Sequence, residues 1–255
     1  MKKWEIALNK FLDEFKKKHK IIGAIVCGSF VTGTPTKHSD IDVQLILPDN
    51  ATYRERGNKI INGFLIEYYL NSKDQITKYF ESDYNRSQLI SHNMFLTGKI
   101  LFDDESKIKE LQKEAKKYFT KGFKKLNKTQ IELQKYTAWD MLDNLQDAYE
   151  SNAPDFVFSY HNALRGLFEK YIVFLRLPIT HYYKFYSYLT NTTSRKKYLQ
   201  KEFPDKTFAN LMTKALIETE KKKMLNYYEK LTKHFLTKTG GFEIDGWKIR
   251  SKSKK

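Results

Sequence analysis

The sequence contains a single cysteine, Cys27, and it lies inside an apolar run. One thiol excludes an intrachain disulfide framework and a cysteine-based zinc cluster, and it suits a reducing compartment. In that setting it reads as a small buried hydrophobe rather than a nucleophile. No apolar run approaches the length of a membrane span, and the N-terminus has no secretory hydrophobic region. The chain therefore reads as a soluble cytoplasmic protein with no membrane partner. Internal repeats are absent too. The longest window without cations lies between Lys135 and Arg165, where no Lys or Arg occurs, although the chain carries 46 basic against 30 acidic residues. The resulting formal charge of +16 would favour anionic partners such as nucleotides or nucleic acid, although a lysine-rich composition produces such a charge with no polyanion in view.

What is present fits a folded protein. An apolar content of 40% and an aromatic content of 15% over 255 residues suffice for one large domain or two modest ones. The patterning predicts an α+β protein. Trp4, Ala7, Leu8, Phe11, Leu12 and Phe15 recur at helical spacing, which predicts an amphipathic helix over 3–19. Strands follow near 21–28 and 40–47. Asn62-Gly63 between two β-rich runs predicts a hairpin. Helices then start at Asn71-Ser72 and cover about 86–96, with a short strand at 99–102. Acidic Asp103-Asp104-Glu105 opens the next helix, as its dipole favours. From about 123 onward the pattern is helical, with segments near 128–151, 155–176, 181–189, 193–202 and 205–237. The expected organisation is a mixed β-sheet flanked by helices over 1–122, an all-helical domain over 123–239, and a hairpin with a basic tail over 240–255.

One segment carries the chemistry. The apolar run ending Cys27-Gly28-Ser29 is followed by a loop rich in Gly, Thr and Pro, and then by Ser39-Asp40-Ile41-Asp42. Side chains two apart on a strand project from one face, so Asp40 and Asp42 can reach one hard divalent cation. Small residues at 28–29 suit a place where backbone meets phosphate. This is what a metal-dependent phosphoryl-transfer site needs. Glu67 is the natural third carboxylate because it interrupts the apolar strand Phe64–Leu70, where an uncompensated charge is costly. The alternative for Glu67 is a solvated face or a lysine partner.

With Gly28-Ser29, Asp40-Ile41-Asp42 and Glu67 in that order and spacing, the chain resembles the nucleotidyltransferases of the DNA polymerase beta superfamily over roughly residues 20–105. In layout the helical half is similar to that of small bacterial antibiotic nucleotidyltransferases of the aminoglycoside type. The resemblance implies that Asp40, Asp42 and Glu67 are catalytic and hold Mg²⁺, with Glu67 either a metal ligand or the general base. It implies that Gly28, Ser29 and Ser39 contact the phosphates of a nucleoside triphosphate, taken as ATP, and that AMP passes to an acceptor hydroxyl with release of pyrophosphate. Relatives of this kind often complete one cleft with two subunits, so a homodimer is an option, although no surface in the sequence marks one.

The cation-free window bears on the acceptor. Asp140, Asp143, Asp147 and Glu150 fall on one helix face. Such a stripe would attract a cationic small molecule, for instance an aminoglycoside-like antibiotic, and repel RNA phosphates. Asp140, Asp143 and Asp147 are the candidate acceptor-binding residues, and Asp140 or Asp143 could instead act as the base. A solvated helix face paired with lysines is the plainer reading of the stripe. The overall positive charge keeps an RNA or protein hydroxyl as the alternative acceptor, and a non-catalytic interaction module is the third reading.

Overall fold

The computed structural model describes residues 1–250, which form two compact units. The first comprises Met1–Gly122 with Lys197–Leu199, and the second comprises Phe123–Lys196 and the residues from Gln200 onward.

The first unit contains α1 (Lys3–Lys16), β1 (Gly23–Cys27), the single turn α2 (Gly28–Val31), β2 (Ile41–Leu47), β3 (Glu55–Ile61), β4 (Phe64–Ser72), α3 (Lys73–Asn85), α4 (Ile90–Thr97), β5 (Lys99–Asp103) and α5 (Lys107–Lys121). The five strands form a mixed sheet in the order β3-β4-β2-β1-β5. β2 and β4 run parallel, and the other neighbours are antiparallel. The central strands β1 and β2 are buried almost throughout, as expected for strands covered on both faces. β3 alternates between exposed and half-buried residues, as suits an edge strand.

Local chemistry sets the element boundaries. Asn62 and Gly63 both adopt positive φ (51° and 79°), the conformation a two-residue hairpin turn requires. The Ser72 hydroxyl accepts the Gln75 amide at the start of α3. The Asp103 carboxylate accepts the amides of Ile108 and Lys109 (3.0 and 3.1 Å), so an acid sits where the α5 dipole is positive. α1 closes one face of the sheet through Ala7, Leu8, Phe11, Leu12 and Phe15. On the other face Ile25, Cys27 and Ile46 meet Phe80, Phe95 and Leu111 from the helices.

The second unit is helical: α6 (Lys128–Glu150), α7 (Phe156–Phe174), α8 (Phe185–Thr190) preceded by a 3-10 turn at Tyr182–Lys184, α9 (Thr192–Lys197), α10 (Lys206–Ile217) and α11 (Lys221–Lys238). Asn127 and Gln130 cap α6 reciprocally, each side chain accepting the other's amide at 2.9 Å. Its core is aromatic, with Tyr160, Tyr171, Tyr228, Phe168, Phe208 and Phe235 all buried.

Two expectations need correction here. The single helix over 205–237 is broken, because Glu218 is extended (φ −71°, ψ 143°) and its carboxylate accepts the amides of Thr219 and Glu220 (2.9 and 3.0 Å). That local pairing competes with continuation of the helix. The predicted C-terminal hairpin is also absent among the described residues. Phe242–Arg250 contains a turn closed by the Trp247 amide on Ile244 (3.1 Å) but no paired strands. Its aromatics pack on α6 instead, Trp247 stacking on Tyr136 at 4.3 Å between ring centroids. The basic tail over 251–255 lies outside the described residues.

Candidate active site

Strand register builds the site. Cys27 pairs with Asp42 across β1 and β2, and Asp42 pairs with Glu67 across β2 and β4. These residues share one row of the sheet, and Asp40 precedes the row by two positions. Carboxylate oxygens of Asp40, Asp42 and Glu67 all lie within 4.8 Å of one another, and all three residues are half-buried. Such a cluster of hard oxygen donors fits a small divalent cation, which would offset the mutual repulsion of the acids.

Gly28 starts the turn that leaves β1. Its φ is +75°, and a β-carbon there would lie 2.0 Å from Asp42 Oδ2. The residue is small for two reasons at once: the backbone conformation and the proximity of the carboxylate. The loop beyond is tied to itself. Thr32 donates its hydroxyl to the Gly28 carbonyl (3.1 Å), and the Thr34 amide reaches the Ser29 carbonyl (3.0 Å). Ser39 Oγ accepts the Thr36 amide at 2.9 Å, so Ser39 closes the loop just before Asp40.

Two groups around the cluster were not read from the sequence. Arg56, on β3, donates Nε and Nη2 to Glu67 Oε1 (3.1 and 2.6 Å). Glu67 thus has a cationic partner, an arginine rather than a lysine, while also facing Asp42. The guanidinium lies over the Tyr69 ring, 4.9 Å from its centroid. Burial, and then the Glu67 carboxylate, push the Tyr69 hydroxyl above its ordinary range, so it stays protonated beside the acids. Burial first, and the Asp42 charge second, do the same for the Cys27 thiol, which removes it as a nucleophile.

The stripe of Asp140, Asp143 and Asp147 lies on α6, in the other unit. Asp140 is half-buried, whereas Asp143 and Asp147 are exposed. Among the described residues none of the three forms an ion pair.

Comparison with known proteins identifies the family. The chain is similar to the crystal structure of a nucleotidyltransferase-like protein from Exiguobacterium sibiricum 255-15, at 13% identity and a TM-score of 0.46, over 92% of this chain and 75% of that one. No curated protein matches the chain. The family model described as a nucleotidyltransferase domain matches residues 8–139, more than half of the sequence, and the match contains the three acids and the Gly28 turn. The chain belongs to this nucleotidyltransferase family, enzymes that transfer a nucleoside monophosphate.

Proposed function

We propose that the protein transfers AMP from ATP to a hydroxyl of a small molecule and releases pyrophosphate, with Mg²⁺ as the metal. The observation that carries this reading is the approach of Asp40, Asp42 and Glu67 to within 4.8 Å, next to a turn that admits no side chain at Gly28. Asp40 and Asp42 would hold the metal, whose charge neutralises the triphosphate when bound. Gly28 would leave room for phosphate oxygens beside Asp42, and Ser29 and Ser39 would supply polar contacts to them. Glu67 Oε1 is engaged by Arg56, so its second oxygen is the one to serve as metal ligand or to take the acceptor proton. Most of the rate in such an in-line displacement comes from positioning and from fixed charges.

A cationic acceptor is the second reading: Asp140, Asp143 and Asp147 lie on one face of α6 and form no ion pair among the described residues. The test is incubation with each labelled triphosphate, Mg²⁺ and a panel of aminoglycosides, neutral and anionic hydroxylated molecules, and bulk RNA. Asp42→Asn should abolish labelling of any acceptor while the fold is kept; turnover like wild type in that variant would sink the proposal. On that second reading the paired change Asp140→Asn/Asp143→Asn should raise KM for a cationic acceptor, and unchanged kinetics would remove the stripe from acceptor binding.

A further inference from the structure

Beyond the acidic cluster the same sheet face continues into a cavity of about 520 Å³, lined within the first unit by β2, β4, the start of β3, and helices α3 and α4. Register explains the adjacency. Gln44 pairs with Tyr69 and Ile46 with Asn71 across β2 and β4, and Arg56 pairs with Tyr69 across β3 and β4. Gln44 and Tyr69 therefore stand one row, about 7 Å, from Asp42 and Glu67 on the same face, and Asn71 stands one row further.

Two amides form the polar floor. Gln44 is only 6% exposed and Asn71 only 3%. The protein uses little of their hydrogen-bonding capacity. Among the described residues Gln44 Nε2 meets only the Met94 thioether at 3.6 Å, and Asn71 Oδ1 accepts a long bond of 3.4 Å from Tyr79. Buried amides are costly unless their donors and acceptors are satisfied, so these two are set for a polar ligand. Ile76 and Phe95 supply the apolar part of the floor.

The rim is cationic. Arg54 and Arg56 lie two apart on an extended segment and both border the cavity. Arg54 Nη1 donates to the Tyr79 hydroxyl at 2.8 Å, and among the described residues it forms no ion pair. Glu55 between them commits its carboxylate to the Tyr68 hydroxyl (2.5 Å), which belongs to the opposite face. The cavity therefore carries an uncompensated guanidinium, whose planar fork matches a carboxylate or phosphate.

We propose that this cavity binds the acceptor, and that the acceptor is a hydroxylated small molecule bearing a carboxylate or phosphate group: Arg54 holds the anion, Gln44 and Asn71 read its hydroxyls, and the reacting hydroxyl lies toward Glu67. The proposal rests on the nucleotidyl-transfer reading and sets a different acceptor charge from the α6 stripe. The test is ligand-observed NMR on the full chain with matched probes: glycerol 3-phosphate, ribose 5-phosphate and gluconate as anions, glycerol and ribose as neutral counterparts, and glucosamine and streptomycin as cations. Anionic probes should bind, and Arg54→Gln, at an exposed position, should weaken them at least tenfold while its melting curve stays that of wild type. Gln44→Leu should weaken phosphate- and carboxylate-bearing polyols alike. The relative strength of phosphate and carboxylate probes tells the two anion types apart. Preferential binding of cations or neutral probes, or anions binding equally to Arg54→Gln, would overturn the proposal. So would anionic binders that accept no label from ATP while another class does. Failure of the transfer reading registers separately, because Asp42→Asn should lose transfer and keep probe binding.

Discussion

A β-carbon on Gly28 would stand 2.0 Å from Oδ2 of Asp42, across the junction of β1 and α2. While Asp42 keeps its place, position 28 has no room for a side chain. Gly28→Ala would add the strain of a left-handed backbone, about 1 kcal/mol for an L-residue, and would also displace Asp42 from its two acidic neighbours. The expected outcome is a loss of roughly a hundredfold or more in transfer rate, because a carboxylate moved by an ångström no longer holds the reacting groups in line. Gly33 is the internal control. It too has positive φ (+76°), but a β-carbon there meets nothing within 4 Å. Gly33→Ala should cost a little stability and leave the rate nearly unchanged; equal losses in both variants would remove the steric coupling to Asp42.

Arg56→Gln separates a counter-ion from a structural tie. The Arg56 side chain is 68% exposed, so its pair with Glu67 contributes little to folding, about 0–1 kcal/mol. The melting temperature should barely change. The affinity of the acidic cluster for Mn²⁺, used as a paramagnetic probe, should instead increase several-fold because Glu67 no longer shares its charge. Weaker Mn²⁺ binding would show that Arg56 orients Glu67 rather than competing for it.

How much of this was legible in the sequence depends on whether a residue's role is set locally. The Asn62-Gly63 hairpin was legible because the turn chemistry is local, and it sets β3 beside β4, the strand that carries Glu67. The three acids could be expected to converge because a carboxylate in an apolar strand carries a large cost unless it is compensated. Gln44 and Asn71 interrupt their strands in the same way, but an amide carries a smaller cost and so a fainter signal. Arg56 was hidden, because among 46 basic residues only the cross-strand register with Tyr69 singles it out. The break between α10 and α11 has no glycine or proline to announce it and depends on the way Glu218 folds onto its own backbone.

In the second unit, Asp205 joins three helices. Its Oδ2 accepts the Tyr171 hydroxyl (2.6 Å) and His234 Nε2 (2.7 Å), and its Oδ1 accepts the Phe208 amide (3.0 Å) as the cap of α10. Burial alone would raise this carboxyl's pKa, but the bonds from Phe208, Tyr171 and His234 outweigh it and hold the pKa down to about 2. A carboxyl depressed in the folded state contributes stability above its ordinary pKa, and that contribution, about 2 kcal/mol, is lost as pH falls toward 2. Asp205→Ala should cost roughly 2–3 kcal/mol at neutral pH, and Asp205→Ser, which keeps a cap, should cost less. Urea unfolding followed across pH 2–7 checks both, and an unchanged acid limb in Asp205→Ala would contradict the assignment.

His92 gives the first unit an acid limit of a different kind. The ring is fully buried on α4, stacked on Phe80 at 4.5 Å between centroids and edge-on to Tyr118 at 4.6 Å. Among the described residues neither ring nitrogen has a hydrogen-bond partner. Burial lowers its pKa to about 4, opposed in part by the charge of Asp83. In the unfolded chain the ring takes up a proton near pH 6.5, whereas in the folded protein it resists until about pH 4. The unfolded state therefore binds more protons throughout that window. Stability should be independent of His92 above pH 6.5 and should fall as pH drops toward 4, by about 2 kcal/mol at pH 5. His92→Phe keeps the aromatic packing and removes both unsatisfied nitrogens and the titration. Urea unfolding of the first unit at pH 7.5 and pH 5 should show wild type weakening and His92→Phe losing much less. If both proteins weaken equally, the acid sensitivity lies elsewhere and His92 is protonated or solvated in the folded state.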